Sequence, residues 1–142
     1  MKPFKKILVV TDTRLEKHPV VDGAAALARQ SGGSLMLTDV VPAFSWVVRM
    51  TLTNHKEIRD CMVREKQEQL ETLAERIRKQ GIHVETQVLI GRTSVEIIRQ
   101  VLRGDHDLVI RVAKGKDSRR KGFFGTTGVR LLQECPCAVW LV

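Results

Sequence analysis

Several residue types are scarce in this chain of 142 residues. It holds no tyrosine, and aromatic residues make up 4% of it. Proteins that bind single-stranded nucleic acid stack the bases on aromatic side chains, so a stacking surface of this kind is not expected here. Zinc-finger, RRM and basic-zipper motifs are missing as well. We therefore do not expect nucleic acid to be a partner.

Cysteine is also sparse, with three residues at Cys61, Cys135 and Cys137. An odd number of cysteines argues against a framework of disulfide bonds. The sequence has no CxxC or HxxxH pair, so a zinc site is not expected. Cys135 and Cys137 are predicted to be packing residues, because cysteine behaves as a small apolar side chain.

Long apolar runs are absent, which excludes a transmembrane helix and a membrane partner. The apolar block at residues 7–10 is too short for the core of a signal peptide. We therefore expect a cytoplasmic protein. The content of 43% hydrophobic and 28% charged residues is ordinary for a folded chain, and residues 1–142 are predicted to form one domain.

Apolar patterning alternates between strand-like and helix-like segments. Short runs rich in β-branched residues predict strands at residues 6–11, 35–41, 82–90, 107–112 and 137–142. Helical spacing predicts helices at residues 19–31, 55–80, 93–104 and 126–134. The alternation indicates an α/β fold with an open, mostly parallel, doubly wound sheet.

Two details of this pattern are specific enough to test. Thr93 and Glu96 have the spacing of a capping box, in which each side chain bonds the other residue's amide. Residues 42–54 show little period and are predicted to be an irregular loop. That loop could form a lid, cover the core or dock a partner.

Candidate ligand-binding residues follow the strands. In open parallel sheets, ligands bind beyond the carboxyl ends of the strands, where the strand order reverses. Asp12, Val40 and the segment from Val112 to Thr126 are expected at that edge. The segment combines glycines, basic side chains and a hydroxyl residue at a helix start, a combination that suits a bound phosphate. The formal net charge of +8 also favours anionic partners.

The sequence resembles the universal stress protein family over its whole length. The resemblance rests on KILVVTD at residues 6–12, Gly91, DLVI at residues 107–110, and the ending. That ending is Gly125-Thr126, a predicted helix, and CPCAV at residues 135–139. The resemblance implies a Rossmann-like, adenine nucleotide alpha hydrolase-like sheet of five strands in the order 3-2-1-4-5. It also implies a homodimer through the C-terminal edge strand, or pairing with a tandem partner domain.

Nucleotide-binding members of that family carry the motif G-x2-G-x9-G-(S/T). Here the motif is Val112, Gly115, Gly125 and Thr126, so valine replaces its first glycine. A β-branched residue resists a positive φ, and its side chain can occupy space near a phosphate. The resemblance implies that ATP, with Mg or Mn, would bind at these residues: Asp12, Val40, Val112, Gly115, Gly125, Thr126 and Thr127.

Three functions remain open from the sequence. The first is a non-enzymatic stress-response protein that binds ATP or a related nucleotide and acts as a dimer. The second is a dimerisation module whose degenerate pocket binds no nucleotide. The third is a slow ATPase, which the absence of a P-loop motif disfavours. Asp12 could also simply bond loop amides, and Thr126 could serve only as a helix cap.

Overall fold

Strands and helices alternate along the chain, of which the computed structural model describes residues 4–51, 53–112 and 125–142. In chain order the elements are β1 (Lys6–Val10), α1 (Pro19–Ser31), β2 (Ser34–Val41), α2 (Trp46–Thr51), α3 (His55–Arg78), β3 (Val84–Ile90), α4 (Thr93–Gly104), β4 (Leu108–Arg111), α5 (Gly125–Glu134) and β5 (Ala138–Leu141).

The five strands form one parallel sheet in the order β3-β2-β1-β4-β5. The predicted α/β class and strand order are therefore confirmed. The chain builds outward from β1 through β2 to β3, then returns to add β4 and β5 on the other side of β1. The strand order reverses between β1 and β4, which places a crevice beyond their carboxyl ends.

Strand β1 shows why the sheet is apolar on both faces. Ile7 and Val9 pack into one hydrophobic cluster, whereas Leu8 and Val10 pack into the other. Successive side chains of a strand point to opposite faces, so a strand covered on both sides needs a continuous apolar run. The run at residues 7–10 meets that need, and its side chains are 0–6% exposed.

Helices cover the two faces in pairs. Helices α1 and α3 bury small and branched residues against one face, including Ala24, Ala28, Leu70 and Ala74. Helices α4 and α5 cover the other face with Ile97, Val101 and Leu131. The sheet is thus doubly wound, as the alternating pattern predicted.

The prediction of an irregular loop at residues 42–54 was wrong in part. Helix α2 (Trp46–Thr51) lies inside this segment. The hydroxyl of Ser45 accepts a hydrogen bond from the Val48 amide, 3.3 Å away, which satisfies a free donor in the first turn. The apolar residues of this segment do not follow a clear helical spacing, so the short helix was not predicted from the sequence.

The predicted capping box at Thr93 was also wrong. Helix α4 has Arg92 at its N-cap, with no side-chain cap, and Thr93 is the first residue of the helix. The amide of Glu96 donates to the Arg92 carbonyl, so it is not available to Thr93. The Glu96 carboxylate instead accepts a hydrogen bond from Arg99, 2.7 Å away.

No helix in the described part of the chain combines the length and the apolar character needed to cross a membrane. Helix α3 has the length, with 24 residues, but charged side chains recur along it.

Candidate functional site

A large cavity lies at the carboxyl ends of β1, β2 and β4, where the strand order reverses. Its volume is about 980 Å³, near the upper end of the roughly 300–1,000 Å³ that is common for small-molecule sites. We call it the cleft. Its lining includes Val10, Thr11, Asp12, Thr13, Arg14, Asp39, Val40, Lys66, Thr93, Arg111 and Val112.

Asp12 follows β1 and lies in the cleft, as expected, but its carboxylate is engaged by Arg14. Arg14 donates from Nε to Oδ1 at 2.9 Å and from Nη2 to Oδ2 at 2.8 Å. The Arg14 amide also donates to Oδ1, at 3.0 Å. These bonds, led by the side chain of Arg14, lower the pKa of Asp12 to about 2, against the opposing effect of burial. A ligand that contacts Asp12 must therefore share it with Arg14 or displace Arg14.

A second carboxylate, Asp39 on β2, was missed by the sequence reasoning. Its Oδ2 accepts hydrogen bonds from the Thr13 amide at 2.9 Å and from the Thr13 hydroxyl at 2.7 Å. Lys66 on α3 lies 2.9 Å from the same oxygen. Oδ1 accepts the amide of Val40, 2.7 Å away. An acidic residue inside an apolar strand was the signal available in the sequence, because such a group is buried only with partners.

Val40 and Val112 supply apolar walls, and each packs against a different hydrophobic cluster. Val112 packs against the cluster on the α1 and α3 face. Among the residues described, Asp105 is the only one other than glycine with a positive φ. The backbone at Val112 is therefore outside the left-handed region that a glycine would make accessible.

Arg111 ends β4 and brings a partly buried guanidinium to the cleft. Burial lowers the pKa of Arg111 from its ordinary value. No ion pair to Arg111 occurs within the described ranges. The sequence did not place Arg111 among the predicted site residues.

The motif residues after β4 are only partly described. Gly125, Thr126 and Thr127 form the first turn of α5, which begins one residue earlier than predicted. The free amides of a helix N-terminus attract anions. Gly115 lies outside the described residues, as does the basic run at residues 114–121.

The cleft offers little to a divalent cation. Asp12 is held by Arg14, and Asp39 is held by Lys66 and Thr13. In the part of the chain that the structure describes, no group of three or more His, Cys, Asp or Glu residues is placed to hold a metal ion. These carboxylates do not fit the Mg or Mn that the resemblance implied with ATP.

Comparison with known proteins gives one consistent family. The model of the Universal stress protein family matches residues 3–142. Universal stress protein E of Escherichia coli K12 is 26% identical over 145 aligned residues, which cover 100% of this chain and 46% of that protein. This chain thus spans about half the length of the curated relatives it matches.

Solved structures share the fold at lower identity. The hypothetical protein MJ0577 superimposes with a TM-score of 0.80 at 18% identity, over 99% of this chain and 96% of that chain. The universal stress protein of Archaeoglobus fulgidus in complex with dAMP has a TM-score of 0.67 at 18% identity, over 98% of both chains. A family protein of Arabidopsis thaliana with AMP bound has a TM-score of 0.64 at 14% identity, over 97% and 90%.

Proposed function

Because this chain belongs to the universal stress protein family, we propose that its cleft binds ATP or a related adenine nucleotide. The observation that carries the proposal is the position and lining of the cleft. It lies where the strand order reverses, and it combines the apolar walls of Val40 and Val112 with the cation of Arg111, which forms no ion pair with a described residue. Apolar surface suits a base, and a guanidinium suits a phosphate.

The ligands of structural neighbours support the nucleotide class. The Archaeoglobus fulgidus protein was solved with dAMP and the Arabidopsis thaliana protein with AMP. AMP shares its base, its ribose and one phosphate with ATP, and dAMP shares the base and one phosphate but carries deoxyribose. An adenine nucleotide bound in this cleft would pack its base against the apolar wall and place its phosphates near the Arg111 guanidinium.

Each site residue has a proposed role. Val40 packs against the adenine, Val112 contacts the sugar, and Asp12 accepts hydrogen bonds from the nucleotide after exchange with Arg14. The amides of Gly125, Thr126 and Thr127 at the start of α5 face the phosphates, together with Gly115. Because the described carboxylates do not suit a divalent cation, the proposal includes no resident Mg or Mn.

The wider function proposed is that of a cytoplasmic, non-enzymatic stress-response domain comprising residues 1–142. It acts by pairing through its edge strand, either with a second copy or with a tandem partner domain. The outer strand β5 carries Trp140, 42% exposed, next to the 63% exposed Val142. An exposed apolar edge strand favours pairing with another chain.

Val112 also favours a second candidate function, a dimerisation module without a nucleotide. The valine stands where the family motif has its first glycine, and its side chain lines the cleft. In this alternative the valine closes the phosphate end of the site, and only the pairing surface remains functional.

Titration calorimetry with ATP and with AMP tests the proposal on the unmodified chain. Binding at submillimolar concentration supports it, and the absence of heat at millimolar nucleotide overturns it. Val112→Gly is expected to tighten binding by about tenfold, equivalent to about 1.4 kcal/mol. Val112→Ala is the matched control, because it removes volume without giving the backbone the freedom of glycine. Binding seen only in Val112→Gly would support the second candidate.

Light scattering after size-exclusion chromatography tests the pairing surface. A change of Trp140 to glutamate on β5 should shift the molar mass from dimer to monomer, since it adds a charge to the apolar edge. The control is Leu102→Glu on α4, a site that is 64% exposed and lies away from the edge strand. A wild-type chain that is monomeric at every concentration argues against homodimers and leaves the tandem partner.

A further inference from the structure

Two cysteine side chains meet at the turn between α5 and β5, outside the cleft. The sulfur atoms of Cys135 and Cys137 are 3.7 Å apart, with Pro136 between the two residues. Both side chains are partly buried and pack against the hydrophobic cluster on the α4 and α5 face. They are the only thiols in contact within the described ranges, since Cys61 is exposed on α3.

Regular structure on both sides holds the two thiols together. The Cys135 amide donates to the Leu131 carbonyl at 3.0 Å, which continues the hydrogen bonding of α5. On the other side, Ala138 pairs with Leu108 at the start of β5. Helix and strand thus fix both ends of a very short turn. Pro136 restricts that turn further, because its ring sets φ.

The separation is close to van der Waals contact and well above a disulfide length of about 2.05 Å. The pair is therefore a reduced dithiol. To form a disulfide, the two sulfur atoms would have to move from 3.7 Å apart to about 2.05 Å. Two ligands alone make a poor metal site, and no third His, Cys, Asp or Glu joins them within the described residues. The geometry favours sulfur–sulfur chemistry.

The two thiols also differ from each other. Burial, followed by the neighbouring Cys135, raises the pKa of Cys137 to about 12. Cys137 therefore keeps its proton at neutral pH, and either sulfur can donate to the other in their contact. Only a thiolate attacks a disulfide, so the raised pKa disfavours Cys137 as the first attacking group.

We infer that Cys135 and Cys137 form a reversible intrachain disulfide, with a low-molecular-weight disulfide such as glutathione disulfide as the oxidant. The Cys135 thiolate attacks one sulfur of the oxidant, forms a mixed disulfide and expels one glutathione thiolate. The Cys137 thiol then loses its proton and attacks the Cys135 sulfur, expelling the second glutathione. The two protein thiols lose two electrons in total, and the oxidant becomes two molecules of glutathione.

The second step follows from the contact between the sulfurs. Burial is the largest cause of the raised pKa of Cys137 and persists in the mixed disulfide, whereas the smaller contribution of the neighbouring thiol weakens once Cys135 carries glutathione. An attacking sulfur already at 3.7 Å also has a high effective concentration. The intrachain disulfide should therefore replace the mixed disulfide.

Intact-mass spectrometry on the full chain tests this inference. The protein is incubated with glutathione disulfide, quenched in acid, and alkylated with a maleimide under denaturing conditions. The expected product has lost two hydrogen atoms at Cys135 and Cys137, and neither of these residues carries glutathione or takes up maleimide. The exposed Cys61 carries either one maleimide or one glutathione. Treatment with dithiothreitol should restore all three labelling sites.

Single variants separate the steps. Cys137→Ser should accumulate the glutathione adduct on Cys135, because no second thiol resolves it. Cys135→Ser should leave Cys137 largely unmodified over the same time. Cys61→Ser is the matched control and should form the intrachain disulfide at the wild-type rate. If serine disturbs packing, judged by circular dichroism, the alanine variants repeat the comparison.

Two results would overturn the inference. One is a wild-type chain that retains three labelling sites or stops at a glutathione adduct on Cys135. The other is oxidation of the Cys61→Ser variant that links separate chains, seen as a dimer on non-reducing electrophoresis whose yield rises with protein concentration. Neither outcome depends on nucleotide binding.

Discussion

Lys66 of α3 and Asp39 of β2 form an ion pair almost closed to solvent: the Nζ–Oδ2 distance is 2.9 Å and the side chains are 14% and 10% exposed. The same Asp39 oxygen accepts both hydrogen bonds from Thr13 in the segment after β1. One carboxylate thus joins a helix, a strand and the loop that carries Asp12. The rim of the cleft depends on this contact.

Breaking this pair from one side should destabilise the fold. Lys66→Met leaves a nearly buried carboxylate without its cation, a change that costs about 3–5 kcal/mol when burial is complete. With the residual exposure here, we expect a loss of about 2–4 kcal/mol in the free energy of unfolding, measured by urea denaturation. Arg76→Met is the control, since it breaks an exposed pair with Asp22 and should cost under about 1 kcal/mol. Equal losses in both variants would contradict the prediction.

The ion pair between Asp12 and Arg14 should be visible in a pH titration. Because the pKa of Asp12 is lowered to about 2, the pair stabilises the fold above the ordinary pKa of aspartate. That stabilisation is lost as pH falls from about 4 towards 2. Arg14→Gln should return the pKa of Asp12 towards its ordinary value, as followed by NMR of the side-chain carboxyl carbon. The same low pKa in both proteins would show that another group holds the charge.

His106 should make the fold sensitive to mild acid. Both ring nitrogens are buried, and neither meets the geometry of a hydrogen bond to any residue that the structure describes; a second cavity of about 180 Å³ lies beside the ring. Burial, followed by the charge of Lys6, lowers the pKa of His106, whereas the Lys6 backbone and the charges of Asp107 and Glu85 oppose this. The unfolded chain therefore takes up a proton first, and stability falls as pH drops below about 6.5.

Unfolding by urea at pH values from 7 to 5 measures this effect. His106→Leu should flatten the dependence of stability on pH in that interval, because the titrating ring is gone. His83→Gln is the control, since the His83 side chain is 71% exposed and lies 3.4 Å from its Glu85 partner. A wild-type slope that survives in His106→Leu would assign the acid sensitivity to another group.

Gly104, the last residue of α4, should resist substitution for a steric reason. A Cβ at this position would lie 2.5 Å from Nε2 and 2.8 Å from Cδ2 of His106. The ring is buried and cannot swing into solvent, so Gly104→Ala should cost about 1–3 kcal/mol of unfolding free energy. Gly23→Ala on α1 is the matched control, because nothing lies within 4 Å of its Cβ. Alanine favours helix there and should stabilise by up to about 1 kcal/mol.

Much of the fold could be predicted from local patterns. Runs rich in apolar and β-branched residues placed all five strands. The run in β1 is continuous because that strand is buried on both faces, whereas the edge strand β3 alternates in part. Glycines and helical spacing placed four helices to within a few residues. The strand order came from the family resemblance, whose motifs lie at the first strand, the fourth strand and the ending.

Parts of the site could not be predicted in this way. Asp39 and Lys66 are far apart in sequence, and only the packing of α3 over β2 brings them together. Arg14 is close to Asp12 in sequence, yet their bidentate contact requires the turn that follows β1. The capping box at Thr93 failed because the helix begins one residue away from the position that the motif requires.

The sequence by itself therefore determined the class of fold, the order of its elements and the family, since these depend on periodic apolar residues and short local motifs. Only the tertiary structure decided which charges meet. Arg111 faces the cleft without an acidic partner in the described residues, Lys66 neutralises Asp39, and two thiols lie 3.7 Å apart. The physical reason is that electrostatic and sulfur contacts depend on distances of a few ångströms between side chains, which the packing of helices on the sheet sets.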